Sequence, residues 1–493
     1  MLPAALKLKD RYDLYIGGKW VSAEGNKTLD AFCPANGEKL CSFADASRAD
    51  VDKAVKAAQA AFPAWSRVKP SEKAKLLNKV ADIIDEHKEE LALIESVDNG
   101  KPLRETLAID IPYAAEHFRY FAGVILAEEG EATVLDNAFL SIVLREPIGI
   151  VGQIVPWNFP FLMAAWKLAP VLAAGDCTVF KPSSSTSLSV LRFAELTQDI
   201  IPAGVFNVIT GAGSRSGNYM LEHEGFDKLA FTGSTEVGRD VALAAAKRLI
   251  PSTLELGGKS ANIYFEDCRL EQAIDGAQLG ILFNQGQVCC AGSRIFVQES
   301  FYDTFVPRLI EAFNKVKVGL PWEEGVQMGS QVNSGQLEKI LGWVQKGVSE
   351  GATVLCGGEK VGGDLASGAF MRPTLLGNVR NDMCVAQEEI FGPVACVIPF
   401  KDEAEVIAMA NDSIYGLGGA VWTADINRAL RVAMAVRTGR MWVNTYNQIP
   451  EGSPFGGYKE SGIGRETHKM VLNHYTQCKN IMVNLSEKPS GFY

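Results

Sequence analysis

The stretch Lys228-Leu-Ala-Phe-Thr-Gly233-Ser-Thr-Glu-Val-Gly238 passes from a short apolar run through glycine into residues of helical composition. A short apolar run bounded by glycine is typical of a buried strand, and the alanine-rich residues 239–247 favour a helix. The first turn of such a helix offers free N–H groups and a positive dipole end to a pyrophosphate, and Gly233 permits its close approach. The stretch therefore predicts a strand, a glycine turn and a helix that together form an anion site in an α/β fold.

Short apolar runs alternate with helical segments through most of the chain. This alternation is typical of parallel α/β construction, because a crossover between parallel strands needs about a helix's length of chain. The predicted strands form two regions, covering residues 148–155, 177–180, 206–209 and 228–231 in the first and residues 260–265, 294–297, 394–399 and 441–444 in the second. An α/β fold with two regions of parallel strands is expected.

The segment before residue 100 predicts a hairpin followed by helices. Gly17 and Gly18 separate two apolar alternations over residues 13–21, and glycine tolerates the positive φ of a tight turn. Further on, apolar residues recur at helical spacing as far as Ile84, and Ser71 is placed to cap the start of that helix.

Length and charge limit the class of protein. The chain has 493 residues, 47% of them apolar, and a formal net charge of -10. A single core does not grow to that size, so about two to four domains are expected. The acidic balance, without blocks of Lys and Arg, argues against nucleic acid or an anionic membrane as a partner. No targeting segment and no apolar run of membrane-spanning length is present, so a cytoplasmic protein is expected.

The cysteines point to catalysis rather than to cross-linking. None of the 10 forms a C-x-x-C or a Cys/His cluster, so neither a disulfide framework nor a metal site is expected. Cys289 and Cys290 are adjacent in a loop of small residues, and Glu255 lies upstream in Glu-Leu-Gly-Gly-Lys. A thiolate with a carboxylate base suits covalent catalysis. A cysteine hydrolase is one alternative, but no histidine is close to Cys289 in the sequence.

Seven motifs, taken in order, make this chain resemble the NAD(P)-dependent aldehyde dehydrogenase superfamily. They are Pro156-Trp-Asn158-Phe-Pro160, Lys181-Pro-Ser-Ser184, Phe231-Thr-Gly233-Ser-Thr-Glu-Val-Gly238, Glu255-Leu-Gly-Gly-Lys259, Gly286-Gln-Val-Cys289, Glu388-Glu389-Ile-Phe391-Gly-Pro393 and Pro454-Phe-Gly-Gly457. The wording of residues 250–259 and 464–470 resembles that of bacterial, non-acylating members that act on acetaldehyde and similar short aldehydes.

The resemblance implies an aldehyde dehydrogenase-like α/β fold with three parts. They are a Rossmann-like NAD(P)-binding domain over residues 1–127 and 147–256, an α/β catalytic domain over 257–465, and a β oligomerisation arm over 128–146 and 466–493. The strand-like residues 139–144 would be an exposed edge unless they were paired, which fits a partner subunit. A homodimer or homotetramer is therefore expected.

The resemblance also implies the catalytic residues. Cys289 matches the nucleophile, Asn158 the oxyanion donor and Glu255 the general base. The thiolate would add to the aldehyde to give a thiohemiacetal, lose hydride to NAD(P) and leave a thioester that water, activated by Glu255, hydrolyses. Glu466 and Lys167 match positions proposed for proton relay, and that role stays open. For Cys290 a packing role is expected.

The cofactor-binding residues implied by the resemblance are Pro156, Trp157, Lys181, Ser184, Phe231, Gly233, Ser234, Glu389 and Phe391. Ser184 stands where family members commonly carry a glutamate that holds both ribose hydroxyls. A carboxylate there would repel the 2'-phosphate of NADP, whereas serine can donate a hydrogen bond to it and Lys181 can pair with its charge. NAD or NADP is therefore expected.

The implied substrate tunnel is lined by Phe159, Met163, Trp166, Val288, Cys290, Ile449 and Phe455. These side chains include no arginine, which favours a neutral aliphatic or aromatic aldehyde over a carboxylate such as succinic semialdehyde. Asn447 and Gln448 could add polar contacts. Two alternatives stay open: a coenzyme A-acylating dehydrogenase, although such relatives generally lack the glutamate base, and a non-catalytic binding protein on the same fold, which would be expected to lose one of the three catalytic residues.

Overall fold

The computed structural model describes residues 2–493, whose strands form an eight-stranded sheet, a seven-stranded sheet, two three-stranded sheets and one two-stranded sheet. The eight strands of the first sheet run in the order Gly462–Ile463, Ser252–Glu255, Lys228–Thr232, Ile150–Ile154, Cys177–Lys181, Phe206–Val208, Leu14–Ile16 and Lys19–Val21. The five strands between residues 150 and 255 are parallel, and antiparallel strands close both edges.

The strand order of the first sheet reverses beside Ile150–Ile154. The next two strands in the chain lie on one side of it, whereas Lys228–Thr232 and Ser252–Glu255 lie on the other. In open parallel sheets a reversal of this kind leaves a crevice at the carboxyl ends of the strands, and ligands bind there. The topology therefore places a binding crevice where residues 155–159 and 233–234 follow their strands.

The seven-stranded sheet holds the second region of strands. Its order is Thr353–Cys356, Thr374–Gly377, Val394–Phe400, Arg294–Gln298, Ala261–Tyr264, Gly418–Trp422 and Arg440–Val443. All neighbours are parallel except the first pair. The side chains of Ile263, Phe296 and Val397 are fully buried within it, as expected for strands covered on both faces.

A separate three-stranded antiparallel sheet joins Thr476–Asn484, Phe139–Pro147 and Glu131–Val134. The predicted hairpin and the predicted C-terminal strand thus lie in one sheet. Its apolar side chains stay accessible, with Val134 69% and Met482 53% exposed. The other small sheets are Arg11–Tyr12, Lys39–Ala44 and Thr28–Phe32, and Tyr415–Gly416 with Tyr458–Lys459.

Helices cover the large sheets. The α-helices are Arg48–Trp65, Pro70–Glu86, Lys88–Asn99, Leu103–Glu105, Ile111–Val124, Pro160–Ala174, Leu188–Thr197, Asn218–Glu222, Thr235–Arg248, Leu270–Leu282, Glu299–Asn314, Ser334–Ser349, Cys384–Gln387, Glu403–Asn411, Ile426–Ala435 and Leu472–Tyr475. The 3-10 turns are Glu24–Asn26, Phe283–Gly286, Gly363–Leu365 and Lys469–Val471, and the π turns are Thr106–Asp110 and Gly213–Gly217.

The strand predictions and the early hairpin are confirmed, and one helix start is wrong. The helix expected to begin after Ser71 begins at Pro70, with Lys69 at the cap position and no side-chain cap. Proline is favoured at the first helical position because its φ is already helical and its missing N–H has no partner to lose there. The predicted domain boundaries stay a prediction.

Candidate active site

One cavity lies at the reversal point of the first sheet and extends to the second sheet. Residues 156–159 and 232–234 supply the wall from the first sheet, and residues 288–290 supply the wall that precedes the strand Arg294–Gln298. Asn158, Glu255 and Cys289, which the sequence predicts as the catalytic set, all line this cavity. The fold therefore brings together residues more than a hundred positions apart in the chain.

The loop that carries Cys289 has an unusual backbone. Asn284, Gln285 and Gly286 have φ values of 49°, 56° and 72°, so three consecutive residues are left-handed. Non-glycine residues held this way cost roughly 1–3 kcal/mol each and persist only where the surroundings fix them. At Gly286 a Cβ would lie 2.2 Å from the carbonyl carbon of Gly392, so the loop packs directly on the backbone of the Glu-Glu-Ile-Phe-Gly-Pro motif.

The Cys289 thiol is less acidic than a free cysteine. Its side chain is half-buried, and the adjacent Cys290 thiol, followed by burial, raises the pKa of Cys289 well above its usual value. Cys290 is buried, and its Sγ lies 3.7 Å from Asn447 Oδ1. Because the thiolate is the nucleophile, the site needs a base that can remove this proton.

Asn158 is held by the cysteine loop. Its Nδ2 donates to the backbone carbonyl of Gln287 at 2.9 Å, and its backbone carbonyl accepts from Asn284 Nδ2 at 2.7 Å. A carboxamide has two N–H donors, and within residues 2–493 the structure gives Asn158 one acceptor. The second N–H is therefore available to an oxygen in the cavity.

Glu255 ends its strand with a buried carboxylate. The residue is 4% exposed, and neither carboxylate oxygen has a hydrogen-bond partner within residues 2–493. Burial first, and then the charges of Cys289 and Glu466, raise the pKa of this carboxyl well above its usual value. A carboxylate with a raised pKa is a competent general base near neutral pH.

Glu466 and Lys167 form a buried ion pair near this base. Lys167 Nζ donates to Glu466 Oε1 at 2.8 Å, and both side chains are almost fully buried. Glu466 raises the pKa of Glu255, whereas the Lys167 charge lowers it. The pair therefore acts electrostatically on Glu255, and its role in proton transfer stays a prediction.

Six of the predicted cofactor-binding residues line the cavity: Pro156, Trp157, Gly233, Ser234, Glu389 and Phe391. The Trp157 and Phe391 rings meet edge to face, with centroids 5.1 Å apart. Glu389 Oε1 accepts from the Gly258 N–H at 3.0 Å, and burial raises the pKa of this carboxyl to about 7. A Cβ at Gly257 would lie 2.6 Å from Glu389 Oε2, so a side chain there would displace that carboxylate.

The turn after Lys228–Thr232 forms the predicted cradle. Ser234 caps the helix Thr235–Arg248 by accepting from the Val237 N–H. A Cβ at Gly233 would lie 2.4 Å from the Phe231 ring, so Phe231 packs beneath the turn, and it is not part of the cavity lining. The other N–H groups of this first helical turn, which Ser234 does not cap, lie next to a bare glycine and fit a pyrophosphate.

Lys181 and Ser184 lie outside the cavity lining. Lys181 ends a strand next to Ile154, is 2% exposed, and burial lowers its pKa to about 8. Its ammonium has three donors, and within residues 2–493 it has a single hydrogen bond, 3.2 Å to the Pro182 carbonyl. A buried ammonium with spare donors fits a ribose hydroxyl or a phosphate, so the residues present fit a dinucleotide.

All seven predicted tunnel residues line the same cavity: Phe159, Met163, Trp166, Val288, Cys290, Ile449 and Phe455. Aromatic contacts hold this end together, with centroids 5.4 Å apart for Trp166 and Phe455. Asn447 also lines it, but its amide bonds to Cys290 and to the Leu279 carbonyl. Gln448, for which a polar contact was expected, is not part of the lining.

Comparisons with known proteins show the family of this chain. The model of the aldehyde dehydrogenase family matches residues 20–481. The chain belongs to the aldehyde dehydrogenase family. An aldehyde dehydrogenase of Vibrio cholerae serotype O1 is 48% identical over 498 residues, which cover 99% of this chain and 98% of that protein.

Solved structures of two bacterial aldehyde dehydrogenases are also similar to this chain. The NAD+ complex of the Bacillus cereus enzyme is 42% identical, with a TM-score of 0.95 over 98% of this chain and 100% of the other. The NAD+ complex of betaine aldehyde dehydrogenase from Staphylococcus aureus is 39% identical, with a TM-score of 0.96 over 98% of this chain and 96% of the other. This aldehyde dehydrogenase therefore uses NAD(P) and oxidises an aldehyde.

The sequence motifs missed part of the lining of this aldehyde dehydrogenase site. The missed residues include Ile109, Tyr113, Leu162, Phe283, Gln336 and Lys339. Ile109 and Tyr113 are four residues apart in the sequence. This spacing predicts that they share a helical face, but it does not predict that the face lines a cavity. Gln336 donates to the Phe391 carbonyl at 2.8 Å from a helix that carries no motif. Such residues reach the site through tertiary packing, which no local pattern reports.

Two searches of residues 2–493 concern other kinds of site. None of the helices in this range combines the length and apolarity needed to cross a bilayer. No group of three or more His, Cys, Asp or Glu side chains in this range is arranged to hold a metal ion.

Proposed function

We propose that this enzyme oxidises short or medium-length neutral aldehydes, aliphatic or aromatic, to carboxylic acids with water as the second reactant. The observation that carries the proposal is that Cys289 and Glu255 open into one cavity whose substrate end is apolar. Within residues 2–493 the charged side chains of the lining are Glu255, Lys339 and Glu389, and no arginine is among them. A substrate carboxylate would lose its hydration there without gaining an Arg partner.

The first chemical step concerns the Cys289 thiol. Glu255 accepts the thiol proton, and the sulfur attacks the aldehyde carbonyl to form a thiohemiacetal. The carbonyl oxygen becomes negative, and the second Asn158 N–H and the Cys289 backbone N–H stabilise it. Donors that are already oriented towards the developing charge lower the barrier, because they need no reorganisation.

The second step concerns the acyl group. Bound NAD(P)+ supplies the hydride acceptor, and Glu389, Ser234 and Lys181 are the residues that would hold it. Once the hydride has left the thiohemiacetal carbon, the oxygen reforms a carbonyl and Cys289 carries a thioester. Glu255 releases the thiol proton to solvent and, ionised again, takes a proton from water; the resulting hydroxide attacks the thioester. The carboxylic acid leaves, and Glu255 returns its proton to the Cys289 sulfur.

The competing activities fit the cavity less well. A coenzyme A-acylating enzyme needs no base to activate water, yet Glu255 is buried here with its oxygens unpaired. A non-catalytic protein has no use for three reactive groups that face one cavity. A cysteine hydrolase of the Cys-His type needs a histidine beside the thiol, and within residues 2–493 none lines the cavity.

The test is to mix the enzyme with acetaldehyde, without coenzyme A, and to record reduced nicotinamide separately with NAD and with NADP. We expect reduction with at least one of them and formation of acetate in equal amount. Succinic semialdehyde is expected to be a poorer substrate, because of its carboxylate. Reduction that occurs only when coenzyme A is added would favour the acylating activity instead.

Cofactor choice gives a separate prediction about Ser184. Replacing Ser184 with glutamate is expected to lower kcat/KM for NADP by about 10²-fold relative to NAD, because the new carboxylate would repel the 2'-phosphate of NADP. The measurement is the NAD/NADP ratio of kcat/KM in the Ser184→Glu variant. Ser185→Glu is the matched control and should leave the ratio unchanged. An equal ratio in Ser184→Glu and the parent would place cofactor discrimination on other residues.

The raised pKa of Glu255 predicts a pH dependence of deacylation. The carboxyl must be ionised to accept a proton from water, and a pKa above the usual value moves that ionisation to higher pH. The decay rate of the thioester should therefore rise with pH, by about tenfold per unit on the acid limb. Rapid-quench measurement across mildly acidic to mildly alkaline pH checks this. A rate that is flat over that range would mean that Glu255 is not the titrating base.

The three-stranded sheet Thr476–Asn484, Phe139–Pro147 and Glu131–Val134 is proposed to be an oligomerisation arm. Its exposed apolar side chains support this, because such an edge invites pairing with another chain. A homodimer or homotetramer is expected, and light scattering after gel filtration measures the mass. A monomer at micromolar concentration would contradict it. A cytoplasmic location stays a prediction from the sequence.

A further inference from the structure

A buried carboxylate outside the cavity holds the loop that carries the nucleophile. Glu105 is 4% exposed, and its Oε2 accepts from the backbone N–H of Asn284 at 3.0 Å. Glu105 does not line the cavity, so it cannot touch substrate or cofactor there. Its contact is with the first of the three consecutive left-handed residues that lead to Cys289.

Asn284 also bonds to the residue that carries the proposed oxyanion donor, Asn158. Its Nδ2 donates to the Asn158 carbonyl at 2.7 Å and to the Gln287 carbonyl at 3.1 Å. The Asn158 amide donates to the same Gln287 carbonyl at 2.9 Å. Asn284 thus joins the strand end that bears Asn158 to the loop that bears Cys289. The spacing between the two proposed oxyanion donors therefore depends on where Asn284 lies.

We infer that Glu105 is a positioning residue for the reaction: by fixing Asn284, it sets the distance between the Asn158 amide and the Cys289 backbone N–H. This inference rests on the proposed function, which assigns the oxyanion to those two donors. Displacing a reacting group by about 1 Å can cost about 10²-fold in rate, so a hydrogen bond behind the site has a measurable effect.

The local backbone around Glu105 also serves the site. The short helix Leu103–Glu105 runs into the π turn Thr106–Asp110, in which one extra residue widens the helix. Ile109, in this turn, lines the cavity, whereas Glu105, just before it, faces the loop. The second Glu105 oxygen bonds to Arg104 at 3.2 Å. One segment therefore supplies both a wall of the cavity and the support of its nucleophile loop.

The experiment compares three variants with acetaldehyde and the preferred nicotinamide cofactor in rapid mixing. Glu105→Ala is expected to lower the rate of the hydride burst by about 10²-fold. This is the usual effect of losing one oxyanion donor, and here the Asn158 donor would be misplaced. Glu105→Gln keeps an oxygen acceptor for the Asn284 N–H and should stay within about threefold of the parent. Cofactor affinity and thermal stability are recorded for each variant.

Asp98→Ala is the matched control. Asp98 is 2% exposed, and its Oδ2 accepts a backbone N–H, that of Leu188, at 3.0 Å, but it has no bond to the nucleophile loop. We expect this variant to lose stability as Glu105→Ala does and to keep its burst rate. An equal loss of burst rate in both variants would show that removing any buried carboxylate slows the reaction, and it would overturn the inference.

Two further variants separate positioning from folding. In Asn284→Gly, glycine tolerates the left-handed φ and keeps the N–H that bonds to Glu105, but the side-chain link to Asn158 is gone. We expect its burst rate to fall by about 10²-fold, as for Glu105→Ala. This variant provides a test if Glu105→Ala does not fold. In the Asn158→Ala background, Glu105→Ala should lower the burst rate by less than a further threefold, because the donor that Glu105 positions is already absent.

The outcomes distinguish this inference from the proposed function. If the parent enzyme gives no burst with acetaldehyde or a wider panel of neutral aldehydes, the proposed function fails. If the parent gives a burst and Glu105→Ala and Asn284→Gly match its rate, only the inference fails. Fully multiplicative losses in the Glu105→Ala, Asn158→Ala double variant would also overturn it.

Discussion

Replacing Cys289 with serine is expected to lower kcat by on the order of 10⁴-fold or more, because the covalent route has no other nucleophile. A serine hydroxyl is far less acidic than a thiol, so Glu255 cannot ionise it. Cofactor binding should be retained, since Cys289 makes no contact with the proposed pyrophosphate cradle at Gly233 and Ser234. The measurements are kcat with acetaldehyde and the dissociation constant for NAD or NADP.

The neighbouring thiol provides the control for this prediction. Cys290→Ser changes the same chemical group one residue away, at a side chain that is buried against Asn447. It should keep kcat within about tenfold, the range of a modest packing change in a tunnel wall. If Cys290→Ser were inactive and Cys289→Ser active, the nucleophile would be assigned to the wrong thiol.

Replacing Glu255 with glutamine is expected to separate the two halves of the reaction. Glutamine cannot accept a proton from water, so steady-state turnover should fall by about 10²–10⁴-fold. Hydride transfer should still give one reduced nicotinamide per active site, as a burst, if the thiol is first ionised by raising the pH. Stopped-flow absorbance resolves the burst, and mass spectrometry should find acyl-enzyme on Cys289.

A small external thiol gives the control for Glu255→Gln. A thiolate is a strong nucleophile without any base, so added thiol should release the acyl group and restore turnover in the variant. Added thiol should raise the turnover of the parent enzyme little, because water already hydrolyses its acyl-enzyme. Absence of a burst even at alkaline pH, with no rescue by thiol, would remove the assignment of Glu255 to deacylation.

The fold was largely predictable because its strands are short, buried and bounded by glycine. Parallel strands are covered on both faces, so their sequences are short apolar runs. Such runs predicted the strands Lys228–Thr232 and Cys177–Lys181. The start of the helix Pro70–Glu86 was missed because two capping signals, proline and serine, are adjacent and the proline prevails. The order of the strands was not predictable from the sequence, because strand pairing between distant segments has no local signature.

The candidate site was predictable where motifs carry it. Asn158, Glu255 and Cys289 lie in such motifs, and the structure places all three at one cavity. The support behind them was not predictable. Glu105 is a carboxylate in a helical stretch, and its burial follows from the packing of the whole domain rather than from its neighbours in the sequence. The same holds for Tyr113, which reaches the cavity from a helix without any motif.

The raised pKa of Cys289 has a consequence for the oxidation of this enzyme. Peroxides and alkylating agents attack the thiolate, and they react slowly with a thiol. Cys290 and burial raise the pKa of Cys289, so a smaller fraction of this partly exposed sulfur is thiolate at neutral pH than in a free cysteine. We therefore expect sulfenic acid to form slowly on Cys289 in the idle enzyme, and faster once Glu255 has removed the thiol proton.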